Sequence, residues 1–249
     1  LMRESLDFGL EERATMGTWE ESLRMLVVNA ERVGVLVMVS GIVGSDTHRR
    51  LDPNEFRGFA LSDIYAPVVF VNGADAKSAQ IFTLAHELVH IWLGSSAVTN
   101  GAEPQGVAAE TANPLEYWVN AVAAELLIPQ EAIVRVFRPT VDLVEETRRL
   151  SRHFKVSNPV VLRRLADEQL ISWQTYRGGI RQFEPGEPIA QSAGGNFYNT
   201  APVRASRRFT RAVVASTLEG RTLYRDAFRL LGFSSQKAFD GLSHELGLA

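Results

Sequence analysis

Cysteine is absent from the 249 residues. That excludes disulfide cross-links, thiolate metal ligands and a cysteine nucleophile. No apolar run approaches the length needed to cross a bilayer. Residues Leu1 to Arg13 are charged rather than apolar, so they do not read as a secretory signal. These absences are compatible with a reducing, cytoplasmic setting and with no membrane partner. There is no internal repeat and no low-complexity tract. Histidine is scarce, with only five in the chain.

What is present suits a globular protein of one large or two small domains: 45% of the residues are hydrophobic and 22% charged. The charge is uneven. Residues 1–130 hold 8 Lys+Arg and 17 Asp+Glu, a net of −9, and residues 131–249 hold 18 and 12, a net of +6. A basic half can face an anionic partner, although a solvated surface explains it equally well.

Two of the five histidines fall in Phe82-Thr83-Leu84-Ala85-His86-Glu87-Leu88-Val89-His90, a His-Glu-x-x-His sequence. On a helix His86 and His90 lie one turn apart on one face, so both imidazoles reach one ion. Glu87 is rotated about 100° from His86, beside the metal but off its axis. There it can take a proton from an attacking water without ligating the ion. Ile81, Leu84, Ala85, Leu88 and Trp92 follow helical spacing and bury the other side, and Gly94 fits a helix stop.

A catalytic zinc site needs three protein ligands. Without cysteine the third must be His, Asp or Glu. Leu115 to Pro129 reads as a second helix, with Asn113 as its cap and Pro114 at its first position. Glu116 and Asn120 are one turn apart. Ala123 continues that face with a side chain small enough for another helix to approach. Glu125, nine residues from Glu116, falls on the opposite side. Glu116 is therefore the ligand candidate, ahead of Glu103 and Glu110 in the connecting loop. The plain alternative for Glu116 is a first-turn glutamate favoured by the helix dipole.

The run Phe82 to His90, followed by Glu116-x-x-x-Asn120-x-x-Ala123-Ala124-x-x-Leu127-x-Pro129, resembles the ImmA/IrrE family of bacterial metallopeptidases. The resemblance implies His86, His90 and Glu116 as zinc ligands and Glu87 as the catalytic base. It implies a cytoplasmic protease that cleaves a helix-turn-helix repressor, in a stress response or a mobile element. Val89 stands where the family often has Gly or Ala.

The remainder is read around that motif. The first residue is Leu1, so residues 1–18 are set apart as an N-terminal segment, such as the remnant of a longer chain would leave. Residues 19–32 form an amphipathic helix, and residues 34–40, 56–61 and 66–73 form strands. That order fits an α+β, zincin-like core with a small mixed sheet, over residues 19–180. Residues 56–61 or 67–71 are candidate edge strands for pairing with an extended peptide. His48 is a candidate oxyanion donor, against the plainer reading of a surface histidine. Residues 95–114 read as a surface loop that can cover the site. Residues 142–170 look like helix, turn, helix, with Asn158 as cap, and Arg148, Arg149, Arg152, Lys155, Arg163 and Arg164 make the stretch basic. This is either a DNA-contacting unit or a helical pair packed beside the core. His153 reads as packing or surface. Residues 181–249 read as a linker followed by a basic helical region whose core side is Val213, Leu218, Leu223, Phe228, Leu231 and Phe233. Against the protease reading stands a regulator that binds DNA or an antitoxin-like protein and keeps its metal site for structure only.

Overall fold

The computed structural model describes residues 2–44, 46–99, 113–183, 202–233 and 235–248. Two short helices, α1 (Met2–Ser5) and α2 (Leu10–Thr15), precede α3 (Trp19–Arg32). Thr18 and Glu21 start α3 with reciprocal side-chain to backbone bonds, which satisfy amide groups that the first turn leaves open. Five strands follow: β1 (Leu36–Ser40), β2 (Ile42–Val43), β3 (Asp46–Arg50), β4 (Gly58–Leu61) and β5 (Val68–Asn72). Then come α4 (Lys77–Leu93), β6 (Ala97–Thr99), α5 (Pro114–Leu127), α6 (Gln130–Val136), α7 (Leu143–Phe154), α8 (Asn158–Asp167) and α9 (Trp173–Ile180). The chain ends in α10 (Arg207–Leu218), α11 (Tyr224–Leu231) and α12 (Gln236–Glu245). The architecture is α+β with a small mixed sheet.

The main sheet has the order β1-β5-β4-β6. β1 runs parallel to β5, while β4 is antiparallel to both β5 and β6. Its inner face presents Val37, Val69, Val71 and Ala60, all buried. This is the alternation expected of a strand with one side on the core. α3 and α4 pack against that face and α5 packs on α4, and their side chains Leu26, Ile81, Leu84, Leu88, Val119 and Leu127 fill the main core. β2 and β3 form a separate ribbon whose β3 residues are exposed.

Three expectations change here. Residues 56–61 and 67–71 do not supply an edge: β4 and β5 are both interior, with β6 on the far side of β4. β6 was hidden in the sequence because three residues in a polar stretch carry no periodic signal. Asn158 is the first residue of α8 rather than its cap, a place taken by Ser157. Trp92, Leu218 and Leu223 are exposed.

Residues 2–15 share the main core. Leu6 and Phe8 are fully buried within it. The buried Arg13 guanidinium lies over the Phe8 ring, 4.4 Å from its centroid. It donates to the Leu127 and Phe154 carbonyls at 2.7 and 3.3 Å. Arg3 Nε donates to Leu126 O at 3.2 Å. Both arginines thus satisfy carbonyls at the C-terminal end of α5, where no further turn of helix is available to do so. A second core, formed by Val213, Val214, Ala227, Leu231, Phe233, Phe239 and Leu242, belongs to α10–α12 alone.

Candidate metal centre

α4 is buried over most of its length, including its polar residues Gln80, Thr83, His86, Glu87 and His90. Burying so many polar groups is costly unless each has a partner or a task. Gly94 ends the helix in the left-handed conformation, φ 67°, a position that a residue with a side chain would fill only under strain. The reversal brings Ser95 back over the last turn. There its amide donates to His90 O at 3.0 Å, and its Oγ lies 3.2 Å from His90 Nδ1.

α5 crosses α4 closely because Ala123 is small and fully buried at the contact. Asn113 caps α5 by accepting from the Glu116 amide at 3.3 Å, and Pro114 occupies the first turn. The first turn then holds Glu116 over the histidine pair. His86 Nε2 and His90 Nε2 are 3.2 Å apart. Each is also 3.2 Å from its own Glu116 oxygen, Oε2 for His86 and Oε1 for His90. Donor atoms about 2.0–2.1 Å from a tetrahedral centre would lie about 3.3–3.4 Å from one another. The observed separations fit that pattern. Lone pairs this close repel one another unless a proton or a metal cation lies among them. Two imidazoles and a carboxylate are donors suited to zinc and to related divalent ions. Among the described residues no other group of three such side chains converges in this way.

The electrostatics agree. Burial, and next the neighbouring His86, lower the His90 pKa from 6.5, with Glu116 opposing. The ring therefore keeps its neutral, ligating form into mildly acidic solution. The Glu116 carboxyl is held below its ordinary value, first by its contact with His86 and against the opposing cost of burial. The same cluster that favours a neutral imidazole favours a charged carboxylate.

Glu87 lies beside the cluster and is fully buried. It is pressed against β4. A Cβ placed on Gly58 would stand 3.2 Å from Glu87 Oε1, 2.6 Å from Thr83 Cγ2 and 2.7 Å from Phe70 O. Only glycine lets α4 lie this near the strand. His86 makes a further contact, through Nδ1, with Asn120 Oδ1 at 2.9 Å.

Other residues fall away from the site. Glu125 points to the far side of α5, where it pairs with Arg164 and lies 3.7 Å from Arg3. His48 is exposed on β3, in the separate ribbon, which gives no support to an oxyanion role. His153 is half-buried, its ring edge-on to Phe154 at 4.7 Å. Glu103 and Glu110 lie outside the described residues. The basic stretch 148–164 spends most of its charge internally. Arg149 donates to Glu146 at 2.6 and 2.8 Å, and Arg163 to Asp167 at 2.9 Å. Arg164 reaches Glu125 and Glu168, and Lys155 is buried and bonded to Arg152 O at 2.7 Å. Arg148 and Arg152 alone of the six are exposed.

Sequence reasoning gave no role to Ser95, Gly58 or Asn120. Asn120 had a signal, since it lies one turn from Glu116. Gly58 had none, because its neighbours Thr83, Phe70 and Glu87 are brought to it by sheet pairing and helix packing, and Ser95 had none, because its place depends on the exact stop of α4 at Gly94.

Comparison with known proteins yields two family matches. The peptidase M78 model, described as the IrrE N-terminal-like domain, matches residues 30–166, more than half of the chain. A family described as a domain of unknown function (DUF8813) matches residues 205–245, the region of α10–α12. No curated protein and no solved structure matches the chain.

Proposed function

Since the chain belongs to the IrrE N-terminal-like peptidase family, we propose that it is a zinc-dependent endopeptidase of the ImmA/IrrE type with a zincin-like core. Its substrate in this reading is a helix-turn-helix transcriptional repressor in the cytoplasm. The observation that carries the reading is the convergence of His86, His90 and Glu116 at mutual distances of 3.2 Å beside a buried glutamate. His86, His90 and Glu116 hold the ion, which when bound supplies Lewis acidity toward a water and a peptide carbonyl. Glu87 takes the proton of the attacking water and passes it to the leaving amine. Its burial beside Gly58 keeps the carboxylate in place and shields it from bulk water.

The reading as a DNA-binding regulator draws no support from α7 and α8, whose cations are largely consumed by Glu146, Asp167, Glu125 and Glu168. Glu87→Gln separates the two classes. It keeps the side chain's size and removes its capacity to act as a base. The variant is expected to keep its metal and its fold, and to lose cleavage of a co-expressed cognate repressor by orders of magnitude. Equal cleavage by wild type and variant would refute the mechanism. Generic substrates such as casein are poor probes, because a restricted cleft spares them.

A further inference from the structure

We propose that Asn120 is a positioning residue: its side-chain oxygen fixes the tautomer and the orientation of His86, so that the other ring nitrogen is aimed at the ion. The proposal rests on reading His86, His90 and Glu116 as a metal site, and it goes beyond that ligand set.

A neutral imidazole has one N–H and one lone pair. Asn120 Oδ1 only accepts, so its 2.9 Å contact with His86 Nδ1 is a hydrogen bond when that nitrogen carries the hydrogen. Nε2 is then left with its lone pair, directed at the space shared with His90 and Glu116. Without this partner the ring would revert toward the tautomer ordinarily favoured in water, with hydrogen on Nε2, which cannot ligate. The ring would also be free to rotate, and fixing it would then have to be done on binding. Groups that hold metal-ligating histidines through the second nitrogen commonly change metal affinity by about 10- to 100-fold.

The placement follows from helix geometry. Glu116 and Asn120 are four residues apart on α5, so both side chains emerge on the face turned toward α4. His86 and His90 have the same spacing on α4. One helix pair thus sets two contacts at once: Glu116 on the ligating nitrogens and Asn120 on the opposite nitrogen of His86. The amide matters too. An acceptor without charge orients the ring and leaves its basicity little altered, whereas a carboxylate would make it a stronger donor. His90 has a lesser counterpart in Ser95 Oγ at 3.2 Å, which is placed by the turn at Gly94.

The test compares wild type with Asn120→Leu, which keeps the branched shape and removes the acceptor, and Asn120→Asp, whose carboxylate can only accept. Chelator competition with Zn²⁺ reads affinity. Nitrogen-15 spectra of the metal-free proteins at neutral pH read the His86 tautomer, and thermal melts check folding. Asn120→Leu is expected to bind zinc about 10- to 100-fold more weakly and to shift His86 toward the Nε2–H form. Asn120→Asp is expected to keep the wild-type tautomer and at least the wild-type affinity. This rescue distinguishes orientation from mere packing, which the acidic variant would disturb as well. The same affinity and tautomer in Asn120→Leu as in wild type would overturn the proposal, as would an Nε2–H tautomer in wild type. Failure of wild type to bind zinc would remove the metal reading. The metal-free tautomer measurement would then still decide for or against Asn120 as the group that orients His86.

Discussion

Two helix pairs of this protein carry unusual densities of titratable side chains, and they use them in opposite ways. In α4 and α5, His86, His90 and Glu116 converge on one point with spacings of 3.2 Å. In α7 and α8, Arg149, Arg163 and Arg164 diverge, each to its own acidic neighbour. The first arrangement leaves a site that calls for a cation. The second pairs three of the six cations of residues 148–164 with acids and leaves Arg148 and Arg152 exposed. A local excess of one residue type is therefore not a function. What matters is whether the groups share a target or are neutralised one by one: Glu146, Asp167 and Glu168 lie one helical turn from their arginines, and Glu125 reaches Arg164 from α5.

The largest effect is expected at the convergent pair. His86→Ala with His90→Ala should reduce bound zinc from about one per chain to near zero, since one carboxylate cannot hold the ion alone. Elemental analysis after dialysis checks this, and full occupancy in the double variant would contradict the site. Single replacements on α5 sharpen the point. Glu116→Ala should weaken zinc binding in a chelator competition, whereas Glu125→Ala should leave it nearly intact.

At the divergent pair the cost should appear in stability. Arg164→Met takes from Glu168 its cation and leaves Glu125 with Arg3 alone. A fully buried pair broken in this way costs about 3–5 kcal/mol. Here Glu125 is half exposed, so about 2 kcal/mol is expected, read as a lower urea midpoint. No loss of stability would show that these ion pairs are incidental.

A smaller effect concerns pH in the metal-free protein. Burial lowers the pKa of both His90 and His153 from 6.5. Below 6.5 the unfolded chain therefore binds more protons than the folded one, and stability falls with acidity. The contribution is complete above pH 6.5 and is lost as the pH drops toward the folded-state values. Glu116, held below 4.5, adds a loss of the same sign in more acidic solution. Thermal midpoints between pH 8 and 5 should be flat and then decline. A rise on acidification would show that the histidines are not buried as neutral groups.

The smallest effect is expected at Arg148 and Arg152, the exposed remainder of the basic stretch. Replacing both by Ala should change stability by no more than about 0.5 kcal/mol and leave any affinity for duplex DNA unaltered. A salt-dependent loss of DNA binding would return α7 and α8 to a nucleic-acid role.

Much of this was legible beforehand because it depends on spacing within one element. The i, i+4 histidines, the offset of Glu87, the stop at Gly94 and the start at Asn113-Pro114 are properties of a helix of known pitch. The phase that separates Glu116 from Glu125 is another. The strands at 36–40, 58–61 and 68–72 were read because their apolar residues mark a buried face. Burial of residues 2–15 was not legible. Leu6 and Phe8 belong to the main core, and Arg13 has partners more than a hundred residues away, at Leu127 and Phe154.

The sequence by itself determined which residues can ligate and which faces of α4 and α5 carry them, because covalent geometry and helical pitch fix relative directions over a turn or two. Only the tertiary structure decided that those faces meet. It also decided that Asn120 stands behind His86 and that Gly58 admits Glu87 against the sheet. It placed β6 rather than β4 or β5 at an edge of the sheet, and it brought Glu125 of α5 to Arg164 of α8. Each of these depends on packing between segments far apart in the chain, and no local periodicity carries that information.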